Sequence, residues 1–173
     1  MITLINATNR PDNKTRLVVL AYQQLLIDEG HQTQIFDMAE LPLDFIFNAS
    51  YGKQSPIMDE IIRRRLDPAE RIVIVSPEYN GSYPGVFKAF IDAIHPKHFH
   101  GKKAALVGVA SGRAGNLRGM DHLTDVLHHL GVEVLSYKVP ISRLDAMMAN
   151  KTQLDDEETL ATLNRQIRRF MAF

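Results

Sequence analysis

The chain contains no cysteine. That absence excludes disulfides, thiolate metal centres, iron–sulfur clusters and a cysteine nucleophile together. There is also no charge excess of either sign, since 20 Lys and Arg are balanced by 20 Asp and Glu. Without a basic surplus, nothing points to nucleic acid or to an anionic membrane as a partner. No apolar run approaches the roughly 20 residues of a membrane-spanning helix. Met1 to Asn6 turns polar too soon for a signal peptide. Repeats, low-complexity tracts and linker-like stretches are missing as well. What is present is an ordinary globular composition of 173 residues, 45% hydrophobic and 23% charged. That is enough chain for one domain with a real core. The expectation is a single domain over residues 1–173, soluble and cytoplasmic.

Hydrophobic periodicity predicts strands alternating with helices. Ile2–Ile5 reads as a first strand, and Thr15–Glu29 as a helix with Val18, Ala21, Tyr22 and Leu25 on one face and Gly30 closing it. Thr33–Phe36 is a second strand, Pro56–Leu66 a helix and Ile72–Val75 an apolar strand. Pro84–Ile94 is a helix for which Ser82 is a candidate cap. Ala104–Ala110 is a strand, Leu117–Leu130 a helix ended by Gly131, Val132–Val139 a last strand and Leu154–Phe170 a closing helix. The closing helix has Asp155–Glu158 at its start and Arg165, Arg168 and Arg169 near its end, which suits the helix dipole. Such alternation implies a parallel sheet covered on both faces. The strands at Ile2, Ile72 and Ala104 are apolar throughout and read as central. Those at Gln32–Phe36 and Val132–Tyr137 alternate and read as edges. The predicted class is α/β, a flavodoxin-like three-layer sandwich with five parallel strands ordered 2-1-3-4-5. A sixth strand, which the dinucleotide-type order would require, is not apparent.

In such a sheet, ligands bind beyond the C-terminal ends of the strands, at the switch point. Three loops are therefore of interest. The first, Asn6–Thr15, is rich in hydroxyl and amide side chains, holds Arg10 and feeds a helix N-terminus. Those features suit a phosphate, although an ordinary turn capped by Asn13 or Thr15 would look similar. Neither the G-x-G-x-x-G nor the P-loop pattern is present. The second, Ser76–Gly85, holds two prolines and an Asn-Gly pair, so its backbone is stiff enough to recognise a planar heteroaromatic ring. The third, Ser111–Asn116, has two glycines that permit close backbone approach.

The second loop and its helix, Pro77-Glu78-Tyr79-Asn80-Gly81-Ser82-Tyr83-Pro84-Gly85 and on to Lys88, Ile91 and Asp92, closely resemble the P-E-Y-N-x-S-x-P-G-x-x-K-x-x-I-D signature of the NADPH-dependent FMN reductase family. That family includes quinone, azo-dye and chromate reductases of flavodoxin-like fold. Thr8, Arg10 and Thr15 match its phosphate loop, Ser111, Gly112 and Gly115 its third loop, and Leu41-Pro42-Leu43 its loop after strand two. The resemblance runs from Met1 to about Val139. Ala7 stands where the family usually has Gly, Asn13 where it has Ser, and Arg113 where a second Gly is common.

By that resemblance, Thr8, Arg10, Asn13, Lys14 (through its backbone) and Thr15 would hold the FMN phosphate. Pro77, Glu78, Tyr79, Asn80, Gly81 and Ser82 would line the isoalloxazine, and Ser111, Gly112 and Arg113 would close its far side. The implied activity is hydride transfer from NADPH or NADH, through FMN, to free flavin, a quinone or a similar small oxidant. No catalytic acid–base residue and no metal are expected, and a homodimer or homotetramer is implied. The alternative is a flavodoxin-type FMN electron carrier without reductase activity, against which the balanced charge counts. A third reading is a binding module that has lost FMN. His95, His98, His100, His128 and His129 could suggest a metal site, but solvated loop histidines are the preferred reading. Arg63-Arg64-Arg65 reads as a charged helix face. Phe45, Phe47 and Tyr51 follow strand two and could be core, a subunit contact or a wall near the flavin.

Overall fold

The apolar runs at Ile2, Ile72 and Ala104 form the centre of one parallel sheet in a computed structural model, which describes residues 1–48, 55–148 and 152–173. β1 (Ile2–Asn6) lies between β2 (Thr33–Asp37) and β3 (Arg71–Pro77), and β3 pairs with β4 (Lys103–Val109). The order is 2-1-3-4-5 as expected, with both predicted edges at the edges. Ile5, Ile72 and Ile74 point to one core, together with α3 (Pro56–Arg65), α4 (Gly85–Ala93) and α5 (Leu117–His129). Leu4, Val73 and Val75 point to the other, with α1 (Thr15–Asp28) and α7 (Glu157–Ala172). The alternation of side chains along each strand thus feeds two helical layers.

The last strand departs from expectation. Val132–Val139 is not continuous: β5 (Glu133–Val134) and β6 (Val139–Ile141) each pair with β4, so a sixth strand exists as a continuation of the same edge. Between them the chain folds into a tight turn in which Lys138 N–H donates to the Ser136 carbonyl at 3.1 Å. The gap is filled from α7. The fully buried Gln166 amide donates to the carbonyls of Leu106, at 2.9 Å, and Tyr137, at 2.8 Å. A side chain thereby pairs one carbonyl of β4 and one within the break, as buried backbone requires.

Smaller expectations also change. Ser82 does not cap α4; Pro84 holds the cap position without a side-chain bond, and the Ser82 hydroxyl lies 2.9 Å from Nδ1 of His122. Of the two caps weighed for the first loop, Asn13 supplies the oxygen, accepting from Arg16 N–H at 3.0 Å, while Lys14 borders α1. The closing helix starts at Glu157 rather than Leu154, where the Asp156 side chain accepts from Thr159 N–H at 2.9 Å. A side-chain oxygen beats apolar periodicity in setting that boundary. His98 is not a solvated loop histidine: its ring is half-buried and pairs with Asp67 at 2.6 Å. No group of His and acidic residues suited to a metal occurs among the described residues. Arg63 and Arg64 pair with Glu60, and Arg65 with Glu40, as a charged helix face would. Phe45 is core, whereas Phe47 is exposed on the short α2 (Phe45–Asn48); Tyr51 lies outside the described residues.

Candidate functional site

The ends of β1, β3 and β4 open on a cavity of about 500 Å³, a size that suits a small-molecule ligand. Arg10, Asn13, Lys14, Thr15, Pro77, Glu78, Tyr79, Asn80 and Ser111 line it, which brings all three expected loops to one place. Thr8, Gly81, Ser82, Gly112 and Arg113 do not line it. Five lining residues were not anticipated: Asp12, Val109, Ala110, Leu144 and Asp145. Val109 and Ala110 end β4, so the strand-end rule covers them once it includes a strand's own last residues. Leu144 and Asp145 follow β6, the piece of edge strand that the sequence pattern hides.

The first loop is fixed by buried amides and one carboxylate. The buried Asn6 amide donates to Asp37 at 2.9 Å and to Asn13 Oδ1 at 3.3 Å, while Arg16 donates to the same Asp37 oxygen at 2.7 Å. Asn13 in turn donates to the Arg10 carbonyl at 2.7 Å. Beyond these contacts, the backbone N–H groups of Lys14 and Thr15 make no hydrogen bond among the described residues. They head a 14-residue helix beside two cationic side chains, Arg10 and Lys14. Free N–H groups, the positive end of a helix dipole and a guanidinium form a donor set that fits a phosphate.

The second loop is stiff. Asn80 and Gly81 take positive φ angles of 52° and 77°, and the turn closes with Tyr79 and Ser82 exchanging backbone bonds of 2.9 and 3.1 Å. Two successive positive φ values are the mark of a type I′ turn, which explains the Asn-Gly pair. Glu78 N–H is anchored on the Val109 carbonyl at 2.8 Å. The Tyr79 ring carries Arg10 above it, with the guanidinium carbon 4.3 Å from the ring centre. Its hydroxyl lies 2.7 Å from that of Thr8, which also accepts Arg10 N–H at 3.2 Å. Thr8 is therefore a buried brace between the first two loops.

A third brace joins the second loop to α5. Asn116, fully buried and left-handed at φ 62°, donates from its amide to the carbonyls of Ser76, at 2.9 Å, and Pro77, at 3.1 Å. A Cβ at Gly119 would collide with the Asn116 side chain and with the Ser82 carbonyl carbon, so α5 sits against the loop only because residue 119 has no side chain.

Ser111 of the third loop bonds to the acid of an ion pair that lines the cavity. Asp145 heads the short α6 (Leu144–Met147), accepts a hydrogen bond from the Ser111 hydroxyl and pairs with Lys14 at 3.0 Å. The Ser111 hydrogen bond, and next the Lys14 ammonium, hold its carboxyl below the usual carboxylate range.

The family model described as NADPH-dependent FMN reductase matches residues 1–144. An NAD(P)H-dependent FMN reductase of Pseudomonas aeruginosa is 31% identical over 147 residues, covering 82% of this chain and 78% of that one. A 2-hydroxy-1,4-benzoquinone reductase of a Burkholderia species is 30% identical over 119 residues, covering 64% of this chain and 63% of the relative. Among solved structures, an NADH:FMN oxidoreductase in its apo form superposes with a TM-score of 0.75 at 21% identity, covering 99% of this chain and 88% of that chain. That likeness is one of fold.

The Asn116 brace generates a prediction. Asn116→Ala removes the donor from two buried carbonyls and places an alanine in the left-handed region. Unfolding in urea should show a loss of about 2–4 kcal/mol. An unchanged midpoint and slope would mean that the amide does not hold the loop.

Proposed function

The chain belongs to the NADPH-dependent FMN reductase family, and from that membership we propose that it is an FMN-dependent oxidoreductase that takes hydride from NADPH or NADH and reduces free flavin, a quinone or a similar small oxidant. The observation that carries this reading is the single cavity wall on which a phosphate-type donor set and a stiff second loop meet. When bound there, FMN supplies the two-electron chemistry. The protein supplies position. Arg10, Asn13, Lys14 and Thr15 would hold the phosphate, with Thr8 bracing them from behind. Pro77, Glu78, Tyr79 and Asn80 would flank the ring, Gly81 and Ser82 would shape their turn, and Ser111 would close the far side, with Gly112 and Arg113 continuing its loop outside the cavity lining. No side chain in the cavity is needed to move a proton, so donor and acceptor can use one exposed ring face in turn.

The carrier alternative is less well supported. Nothing in the chain's charge provides the strongly acidic docking face that a carrier presents to protein partners, and the named relatives are reductases. A homodimer or homotetramer is part of the proposal. It is supported by apolar side chains left in water on one stretch, with Leu43 fully exposed and Ile46, Phe47 and Ile57 more than half exposed. A cytoplasmic location rests on the need for a nicotinamide donor; no described helix is long and apolar enough to cross a membrane.

Three outcomes are expected. NAD(P)H oxidation by the FMN-loaded protein with a quinone should give parallel double-reciprocal lines, because donor and acceptor share one site. Intersecting lines, or no turnover with FMN fully bound, would count against the shared face. Arg10→Ala should weaken FMN binding about ten- to a hundredfold, the contribution of a charged hydrogen bond, and leave riboflavin nearly unaffected. Equal losses for both flavins would instead assign Arg10 to the Tyr79 stack. Light scattering of the flavin-bound protein should return a multiple of the chain mass; a monomer at working concentration would remove the oligomer.

A further inference from the structure

The same cavity that offers cations to a phosphate already contains an anion. The Asp145 carboxylate pairs with Lys14 at 3.0 Å and accepts the Ser111 hydrogen bond, so it occupies the ammonium that an incoming phosphate would seek. How it comes to be there is visible in the backbone. After β6 the chain is stitched to the third loop: Ala110 N–H donates to Ile141, Arg143 N–H to Gly112 and Leu144 N–H to Ala110, at 2.9 to 3.0 Å. Ser142 adds a side-chain bond to the Arg113 carbonyl at 2.6 Å. Arg143 itself is left-handed at φ 53°, and that turn delivers Leu144 and Asp145 to the cavity wall. A non-glycine residue holds such an angle only where its surroundings demand it.

We propose that Asp145 is a specificity-determining residue that opposes the cofactor phosphate, so that this chain binds phosphorylated flavin loosely and exchanges it. The proposal rests on the FMN reading given above. Its physical basis is competition. A carboxylate and a phosphate want the same charge-assisted donors, and two anions sharing one cation repel each other. The bridge can open, because its side chains are 40% and 59% exposed, and such pairs add little stability. Asp145 cannot retreat far when it opens, since the backbone bonds of Arg143 and Leu144 tether it to the third loop. Displaced from Lys14, the charge stays at the rim. Asp12 and Glu78 line the same cavity, and neither pairs with Lys14 in this way.

The test is a set of flavin-fluorescence titrations on the full chain. Asp145→Asn and Asp145→Ala should each bind FMN about tenfold more tightly than the wild type, the order expected for removing one like charge at protein dielectric. Riboflavin, without a phosphate, should change by less than about twofold. Asp145→Glu keeps the charge and should not tighten FMN. Inorganic phosphate should compete with FMN at lower concentration in the two neutral variants. If FMN and riboflavin both weaken in the neutral variants, Asp145 is a staple between the first and third loops and the proposal is overturned. Unchanged FMN affinity in a wild type that binds FMN and oxidises NAD(P)H overturns the proposal alone. Absence of flavin binding in every variant, wild type included, overturns the FMN reading with it.

Discussion

The amide of Asn116 is the contact on which the rest of the site depends. The chain must pass from β3 into a loop that leaves the sheet, and Ser76 and Pro77, whose carbonyls stand at that exit, are the last two residues of β3. They are buried, so each needs a donor or carries a desolvation cost. One side chain supplies both. To do so Asn116 adopts a left-handed backbone and projects under the loop, and α5 begins directly after it. Gly119 then has to be bare, since a side chain there would occupy the space of the amide. Neighbouring Gly108, on β4, obeys the same constraint, because a Cβ would meet the Gly115 carbonyl and the Met120 side chain. The glycines of this region make room for one asparagine.

From that anchor the site divides into a stiff part and a loose part. The second loop is closed by its own hairpin bonds and held by Val109, and the first loop is tied to it through Thr8 and the Arg10–Tyr79 stack. Thr8 is buried and Tyr79 half-buried, and together they define a wall. The rim is different. Lys14, Ser111 and Asp145 face water, and their mutual contacts can be exchanged for contacts to a ligand at little cost. A site with a fixed wall for an uncharged ring and an adjustable rim for a charged group separates shape recognition from charge recognition.

Most of this architecture was legible in the sequence. Apolar runs at Ile72 and Ala104 identified the central strands because a parallel strand buried on both faces has no alternation to show. The Asn-Gly pair and the prolines of the second loop announced its turn, since few residues tolerate that backbone. What could not be read was every feature set by a distant partner. The break between β5 and β6 depends on Gln166, some thirty residues further on, whose amide looks like any helix-surface polar residue until the fold buries it. Asp145 follows that break and was hidden by the same cause. Thr8 was expected to hold the phosphate because it matches the family's phosphate loop; its burial behind Tyr79 depends on a contact 71 residues away. Asn116 was read only as the last residue of the third loop, which it is, while the role of its side chain depends on where β3 ends.

Charge makes the limit clearest. A formally neutral chain gave no reason to expect broad electrostatic attraction to polyanions. It said nothing about the cavity, where three carboxylates, Asp12, Glu78 and Asp145, outnumber the two cations Arg10 and Lys14. By side-chain count alone the cavity should repel an anion. Any attraction has to come from arrangement: N–H groups without acceptors at the head of α1, the field of that helix, and a guanidinium kept over a ring within reach of the loop. Such fixed dipoles act over a few ångströms and do not appear in a sum of charges. Asp12 and Asp145 stand exposed at the rim, and Glu78 is half-buried. Anion recognition in this fold is therefore a property of backbone geometry that side chains adjust, and it is why a single rim carboxylate can tune it.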